Sequence, residues 1–245
     1  MQFDGLHAVA DYAALYAVLR QGALASHLEG QLGDYQTHAD VAGQTLSFTA
    51  ADGSEIRSAT TLVAVLDPDE ITWGWAHPFG DPSGLAAAMR DTGNRYGIAD
   101  LVSPRVGLPA HLAPAEVDAY LSETAEIVAA AAVHSTGHSP YHSADIGGGA
   151  RAVLLLDDIA LPEPTFADFA TTMPGVLNTL AVNDHRVAIH GVAARLGWHI
   201  AWASGEDSTR SPTCDITDGI STAHIDFDRK GRPRSYRCSL GAAAG

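Results

Sequence analysis

The sequence predicts an α+β protein in which antiparallel β-meanders are packed by helices. Three observations predict it. An Asp-Gly pair at 52–53 joins two segments of alternating apolar and polar residues. Several other segments carry apolar residues at helical spacing. Helices and strands also come in blocks, without the strict β-α-β alternation of a doubly wound parallel sheet.

Residues 6–29 place Leu6, Val9, Ala13, Tyr16, Leu19 and Ala23 on one helical stripe, and Gly30 and Gly33 end that helix. Thr45–Ala50 alternates with period two, and the returning strand Glu55–Leu66 sets Ile56, Leu62, Ala64 and Leu66 on one face. A turn at 67–70 leads to a third strand at 71–76. Asp81 reads as a helix N-cap with Pro82 at the first helical position, and this helix carries Leu85, Ala88, Met89 and Thr92 up to Gly93. The strongest amphipathic pattern begins at Pro114. It stacks Val117, Tyr120, Leu121, Thr124, Val128 and Ala131, with Glu116, Glu123 and Glu126 facing water.

Residues 140–143 and 151–157 form two more strands, joined by Gly147-Gly148-Gly149. Val153-Leu154-Leu155-Leu156 is unbroken and apolar, as expected of a strand buried on both faces. A helix over 164–173 is broken or kinked by Pro174. Another helix opens after Asn183-Asp184, turns His185, Ile189, Val192 and Leu196 inward, and stops at Gly197. Strands at 198–203, 220–227 and 234–240 close the chain, the last two joined by the turn 228–231. The predicted organisation is therefore a domain over 1–173, containing the strand of Trp73 and Trp75, and an α-β-β-β extension over 174–245 packed on it.

Composition narrows the function classes. The 245 residues are enough for one large domain or two small ones, and 46% hydrophobic against 18% charged residues excludes a disordered chain. No apolar run reaches the roughly 18 to 20 residues that span a bilayer. The N-terminus lacks a basic n-region and a small-residue cleavage site, so a cytoplasmic location is expected. A net charge of −15 argues against nucleic acid or an anionic membrane as partner. Lys230 is the single lysine, and the arginine- and alanine-rich composition is that of a high-GC bacterial genome. Arg229, Lys230, Arg232, Arg234 and Arg237 crowd near the C-terminus, where a solvated hairpin explains them more simply than a binding patch. Cys214 and Cys238 are expected reduced, with a bridge between them the minor alternative.

Signatures of catalysis and cofactor binding are missing. The chain has no G-x-S-x-G, H-E-x-x-H, C-x-x-C, phosphate loop or dinucleotide fingerprint, and no cofactor is expected. His134, His138 and His142 recur every four residues, which on a helix would stack them toward a metal, but Gly137 and Pro140 break that helix. Asp157-Asp158 at a strand exit could hold Mg²⁺ or do acid–base work, but Pro162 and Pro164 nearby favour the reading of the pair as ordinary turn residues. Asp184, His185 and His190 fit a helix cap and helix face, and residues 204–208 form a loop with no base beside them.

The tryptophans stand apart. Trp73 and Trp75, two apart on a strand, would point to one face, and Trp198 and Trp202, four apart, would share another. Such residues build either a core wall or a ligand groove, because tryptophan buries a large area while its indole N–H seeks an acceptor. An incompletely covered face would make Trp73, Trp75, Trp198 and Trp202 a ligand-binding surface with His77 at its rim.

Thr72-Trp73-Gly74-Trp75-Ala76-His77-Pro78, the helix after it, Tyr96-Gly97-Ile98 and the alanine-rich helix beyond resemble a bacterial family of uncharacterised proteins with a T-W-x-W-A-x core, over residues 30–157. That resemblance implies no activity, cofactor or catalytic residue. The order α-β-β-β-α-β-β-α is also similar to type-III-secretion-chaperone and YbjN-like folds, which implies binding of a partner protein. The leading expectation is a non-enzymatic protein that binds a small molecule or a partner protein. The alternatives are an immunity or inhibitor protein against a basic toxin, suited by the −15 charge, and a metal-dependent hydrolase using the histidine triplet or Asp157 and Asp158.

Overall fold

The computed structural model describes residues 3–109, 114–176, 179–203 and 212–241. The protein is α+β, and all described strand pairs are antiparallel. It divides into two compact units. The first comprises the chain up to Ala10 with Gln21–Leu161, and the second Asp11–Arg20 with the chain from Pro162 on. The long first helix α1 (Asp4–Leu32) thus lends its two ends to the first unit and its middle to the second.

In the first unit α1 is followed by the strands β1 (Tyr35–Asp40), β2 (Thr45–Ala50), β3 (Glu55–Leu66) and β4 (Glu70–Trp73). A 3-10 turn at Gly74–Ala76 leads to helices α2 (Ala87–Tyr96) and α3 (Ala99–Val102), the short strand β5 (Arg105–Gly107) and the long helix α4 (Pro114–Thr136). Strands β6 (Tyr141–Gly147) and β7 (Ala150–Leu156) complete a seven-stranded sheet. Strand β3 organises it by changing partners along its length. Glu55–Ala59 pairs with β2, residues 60–66 pair with β7, and residues 64–66 pair also with β4.

Strand β7 is buried on both faces, as its unbroken apolar run requires. Ala152, Leu154 and Leu156 join Leu24 and Leu28 of α1, Leu46 and Phe48 of β2, and Leu62 and Val65 of β3 in one core cluster. Val153 and Leu155, of opposite parity, are equally buried, and α4 packs against the same strand. Leu121, Thr124 and Val128 of α4 turn inward while Glu116, Glu123 and Glu126 stay exposed, following the sequence periodicity. The α4 segment 128–133 is buried all round, which its alanines make possible by keeping the helix narrow.

The second unit holds α5 (Phe166–Val176), α6 (His185–Leu196) and a four-stranded sheet of order β11-β10-β9-β8. Its strands are β8 (His199–Ala203), β9 (Thr213–Thr217), β10 (Thr222–Phe227) and β11 (Pro233–Ser239). Helix α6 lies close against the middle of α1, because a Cβ on Gly191 would come within 1.7 Å of the Tyr12 carbonyl oxygen. Asp184 caps α6 through the Arg186 amide at 2.9 Å. Asp11 accepts from the amides of Asn183 and Asp184, and the Arg195 guanidinium lies 4.7 Å over the Tyr16 ring.

Several expectations are corrected. The strand of Trp73 stops at that residue, and Trp75 sits in the 3-10 turn, so the two do not share a strand face. The cause is Gly74, where the chain presses so close to β3 that a Cβ would meet the Leu62 carbonyl oxygen at 1.8 Å. Asp81 accepts from the Ser83 amide and hydroxyl in a turn, and α2 begins only at Ala87. Helix α5 continues through Pro174 to Val176. Cys214 and Cys238 are both free, on β9 and β11 with β10 between them. Burial pushes the Cys214 thiol up to about 12, so it is an inert core residue.

Candidate functional site

The 3-10 turn and the chain after it create a depression on the first unit. From Gly74 the chain runs outward through His77 and Phe79 and closes back at Gly80, whose amide donates to the His77 carbonyl at 2.9 Å. Gly80 must be glycine, because a Cβ there would lie 1.8 Å from the Gly74 carbonyl oxygen. From the other side, the β1–β2 turn supports this loop. Asp40 accepts from the Gly43 amide at 2.8 Å, and Gln44 takes the left-handed backbone at φ 52°. The Gln44 side-chain Nε2 then donates to the Phe79 carbonyl at 3.2 Å.

Between these supports lies an open pocket of about 410 Å³, lined by His38, Ala39, Asp40, Val41, Val65, His77, Phe79 and Ile146. Phe79 is 50% exposed and Ile146 38%, so the pocket wall presents two large apolar side chains to solvent. Three side chains with hydrogen-bonding capacity, His38, Asp40 and His77, join this apolar lining. His77 Nδ1 accepts from the Phe79 amide at 3.2 Å, which assigns the proton of the neutral ring to Nε2. Burial holds the imidazole below its ordinary range, with the Asp67 carboxylate pulling weakly the other way. His77 is thus a neutral donor at pH 7, and its ring lies 5.5 Å from that of Phe79.

The tryptophans are placed differently from one another. Trp73 is wholly buried and donates its indole N–H to the Asp100 carbonyl at 2.8 Å, which makes it a core pillar. Trp75 is half-buried under the Arg90 guanidinium, 5.2 Å from its ring centre, and its indole nitrogen has no hydrogen-bond partner among the described residues. Neither lines the pocket, whereas His77 does. Trp198 and Trp202 belong to the second unit. Trp198 packs on Phe166 and Phe169, at 4.9 and 5.4 Å. Trp202 leans on Phe227 and donates to His190 Nδ1 at 3.4 Å.

The histidine triplet is split by its local structure. His134 is in the last turn of α4, His138 follows the left-handed Gly137, and His142 is on β6. Among the described residues no group of three histidine, cysteine or acidic side chains is arranged to hold a metal. Asp157 and Asp158 clasp β3: Asp158 accepts from the Ala59 amide at 3.0 Å, and Asp157 from the Thr61 hydroxyl at 3.1 Å. Burial raises the Asp157 carboxyl. Residues 204–208 lie outside the described residues.

A polar cluster that the sequence does not announce lies on the second sheet. His224 Nδ1 meets Asp215 at 2.6 Å, and its Nε2 meets Asp226 at 3.3 Å. Ser235 donates to Asp226, and Arg237 stands 3.8 Å from the same carboxylate. The available signal is the alternation in β9 and β10, which puts Asp215, His224 and Asp226 on one face opposite buried Cys214, Ile216 and Ile225. The imidazole is satisfied on both nitrogens, so the cluster joins three strands and leaves no lone pair for a reaction.

A family model matches residues 7–159, more than half of the chain. The chain belongs to the DUF6882 family. This is a family of unknown function. The DUF6882 match takes in β1 to β7 and α4, hence every residue that lines the pocket. No curated protein and no solved structure matches the chain. No described helix is long and apolar enough to cross a membrane.

Proposed function

We propose that the first unit is a non-enzymatic binding module whose ligand site is the pocket ringed by His38, Asp40, His77, Phe79 and Ile146. The observation that carries this reading is the convergence of two half-exposed apolar side chains with three hydrogen-bonding ones over a single concave surface. The ligand class that fits has an apolar body and a group able to meet the Asp40 carboxylate and the His77 Nε2–H. It is a small molecule, or a side chain presented by a partner protein. The surrounding loop supports the reading, because Gly74 and Gly80 fix His77 and Phe79 through backbone contacts that require no ligand. The T-W-x-W-A-x segment is read as the family's core motif, serving this loop through Trp73 and Gly74. A bacterial origin, suggested by the arginine- and alanine-rich composition, and a cytoplasmic location belong to the same proposal.

Thermal-shift screening of a metabolite and fragment panel tests it, run in parallel on the protein and on its Phe79→Ala variant. The expected result is a set of hits that stabilise the protein and lose at least half of their shift in the variant. The variant's own melting temperature should stay within about one degree, since an exposed side chain contributes little to stability. Hits that stabilise both forms equally would refute this pocket as the site.

A further inference from the structure

A role for the strand beside the pocket rests on the binding reading of the pocket itself. Strand β1 pairs with β2 along all six of its residues, without a bulge. Its other edge pairs with no described residue. Natural sheets blunt such edges with lysine, proline or a bulge, because a free row of N–H and C=O groups recruits further strands. Tyr35-Gln36-Thr37-His38-Ala39-Asp40 has none of these devices. The edge is instead flanked at both ends by pockets. One is the site already described, lined by 38–41, and the other, of about 440 Å³, is lined by Asp34, Tyr35, Gln36, Thr49, Ala50 and Ala51. Each pocket therefore pairs a carboxylate with an aromatic ring: Asp34 with Tyr35, and Asp40 with Phe79.

We infer that β1 receives an extended, basic segment of a partner protein as an added antiparallel strand. Main-chain hydrogen bonds to the free edge would supply affinity, and the two end pockets would select the side chains. Asp34 immediately precedes β1 and Asp40 ends it, so a strand carrying arginine or lysine at positions i and i+6 spans both ends of the edge, over roughly 20 Å. Arg57 is on the same face as Asp40, two strands away, but it is held to Ser47 and Glu55. The net charge of −15 favours the encounter with a basic partner. A second copy of this chain is disfavoured, because two copies that each carry a net charge of −15 repel where a basic segment is attracted.

The test is amide hydrogen exchange on the full chain with a capped peptide of sequence Arg-Thr-Val-Thr-Val-Thr-Arg, beside a control with glutamate at both ends. The expected result is at least tenfold slower exchange at the alternate β1 amides that β2 leaves unpaired. The glutamate peptide should bind at least tenfold more weakly, and so should the arginine peptide to the Asp34→Asn/Asp40→Asn variant. Equal protection by the two peptides would overturn the inference. So would protection that appears without peptide and grows with protein concentration, which would mark edge pairing between copies. If neither peptide protects β1 while a small-molecule hit still binds at Phe79, the strand-addition inference fails and the pocket reading stands. Loss of both would remove the pocket reading as well.

Discussion

Two contacts between a glycine and a carbonyl hold the candidate site at the residue scale. Gly74 against Leu62 and Gly80 against Gly74 leave no room for a Cβ, and the carbonyls they face are backbone that cannot swing away. Gly74→Ala or Gly80→Ala should therefore cost about 3 kcal/mol in chemical denaturation, at the upper end of overpacking effects. A cost below about 0.5 kcal/mol would mean that the loop is not pinned as described. His224 gives a second prediction. Hydrogen bonds that the imidazole donates to Asp215 first, and then to Asp226, raise it above the ordinary value. A raised group contributes stability that is fully present below its unfolded value, about 6.5, and is lost as pH rises through the folded value. Asp226 is depressed, chiefly by the Ser235 hydroxyl, so its contribution is present above the ordinary carboxylate range and fades as pH falls through the depressed value. Amide protection in β10 and β11 should thus weaken as pH rises above about 6.5, and His224→Gln should abolish that dependence. A pH-independent wild type would contradict the cluster. His77 at the pocket rim is legible from its place after the tryptophan segment. His38 and Asp40 are not, because the segment that carries them does not alternate.

The sequence pattern succeeds at the scale of elements where apolar residues mark a core-facing side, and fails where an element is exposed and polar, very short or bulged. Strand β2, helix α4 and the doubly buried β7 follow their sequence patterns closely. In β3, by contrast, a bulge between Leu62 and Ala64 turns Ala64 and Leu66 to the face opposite Ile56 and Leu62. Strand β1 is exposed along nearly its whole length and polar, so no apolar alternation betrays it. Strand β5, with three residues, is too short to show a period. Strand β9 does alternate, Thr213-Cys214-Asp215-Ile216-Thr217, but the polar run before it hides so short a signal. The end of β4 at Trp73 is illegible for a different reason: nothing local marks Gly74 as a point of contact with β3. Two predictions belong here. Trp73→Phe removes the hydrogen bond to Asp100 and part of a fully buried ring, and should cost about 2–3 kcal/mol on denaturation. Asp158→Ala leaves the Ala59 amide without its acceptor where β3 changes partners, and should cost about 1 kcal/mol, with faster exchange at that amide. Unchanged exchange at Ala59 would show that the clasp does not form.

At the scale of the whole molecule, the α+β class is evident from the block order of helices and strands, and the family follows from residues 7–159. The interleaving of the units along α1 is not evident, since one uninterrupted helical stripe serves both. The seven-stranded sheet forms a scaffold for a short loop, and the loop, the β1 edge and Ile146 of β6 bring apolar and acidic groups together at the pocket. The central claim is that this corner of the first unit binds a ligand. Two-dimensional NMR of the labelled protein, titrated with the hits of the thermal-shift panel, tests it most directly. Binding is predicted to shift the imidazole signals of His38 and His77 together with the methyl signals of Val41, Val65 and Ile146, while Trp73 and the His224 cluster stay unmoved. Perturbations centred on the second unit, with the signals of His77 and Ile146 unchanged at saturation, would contradict it.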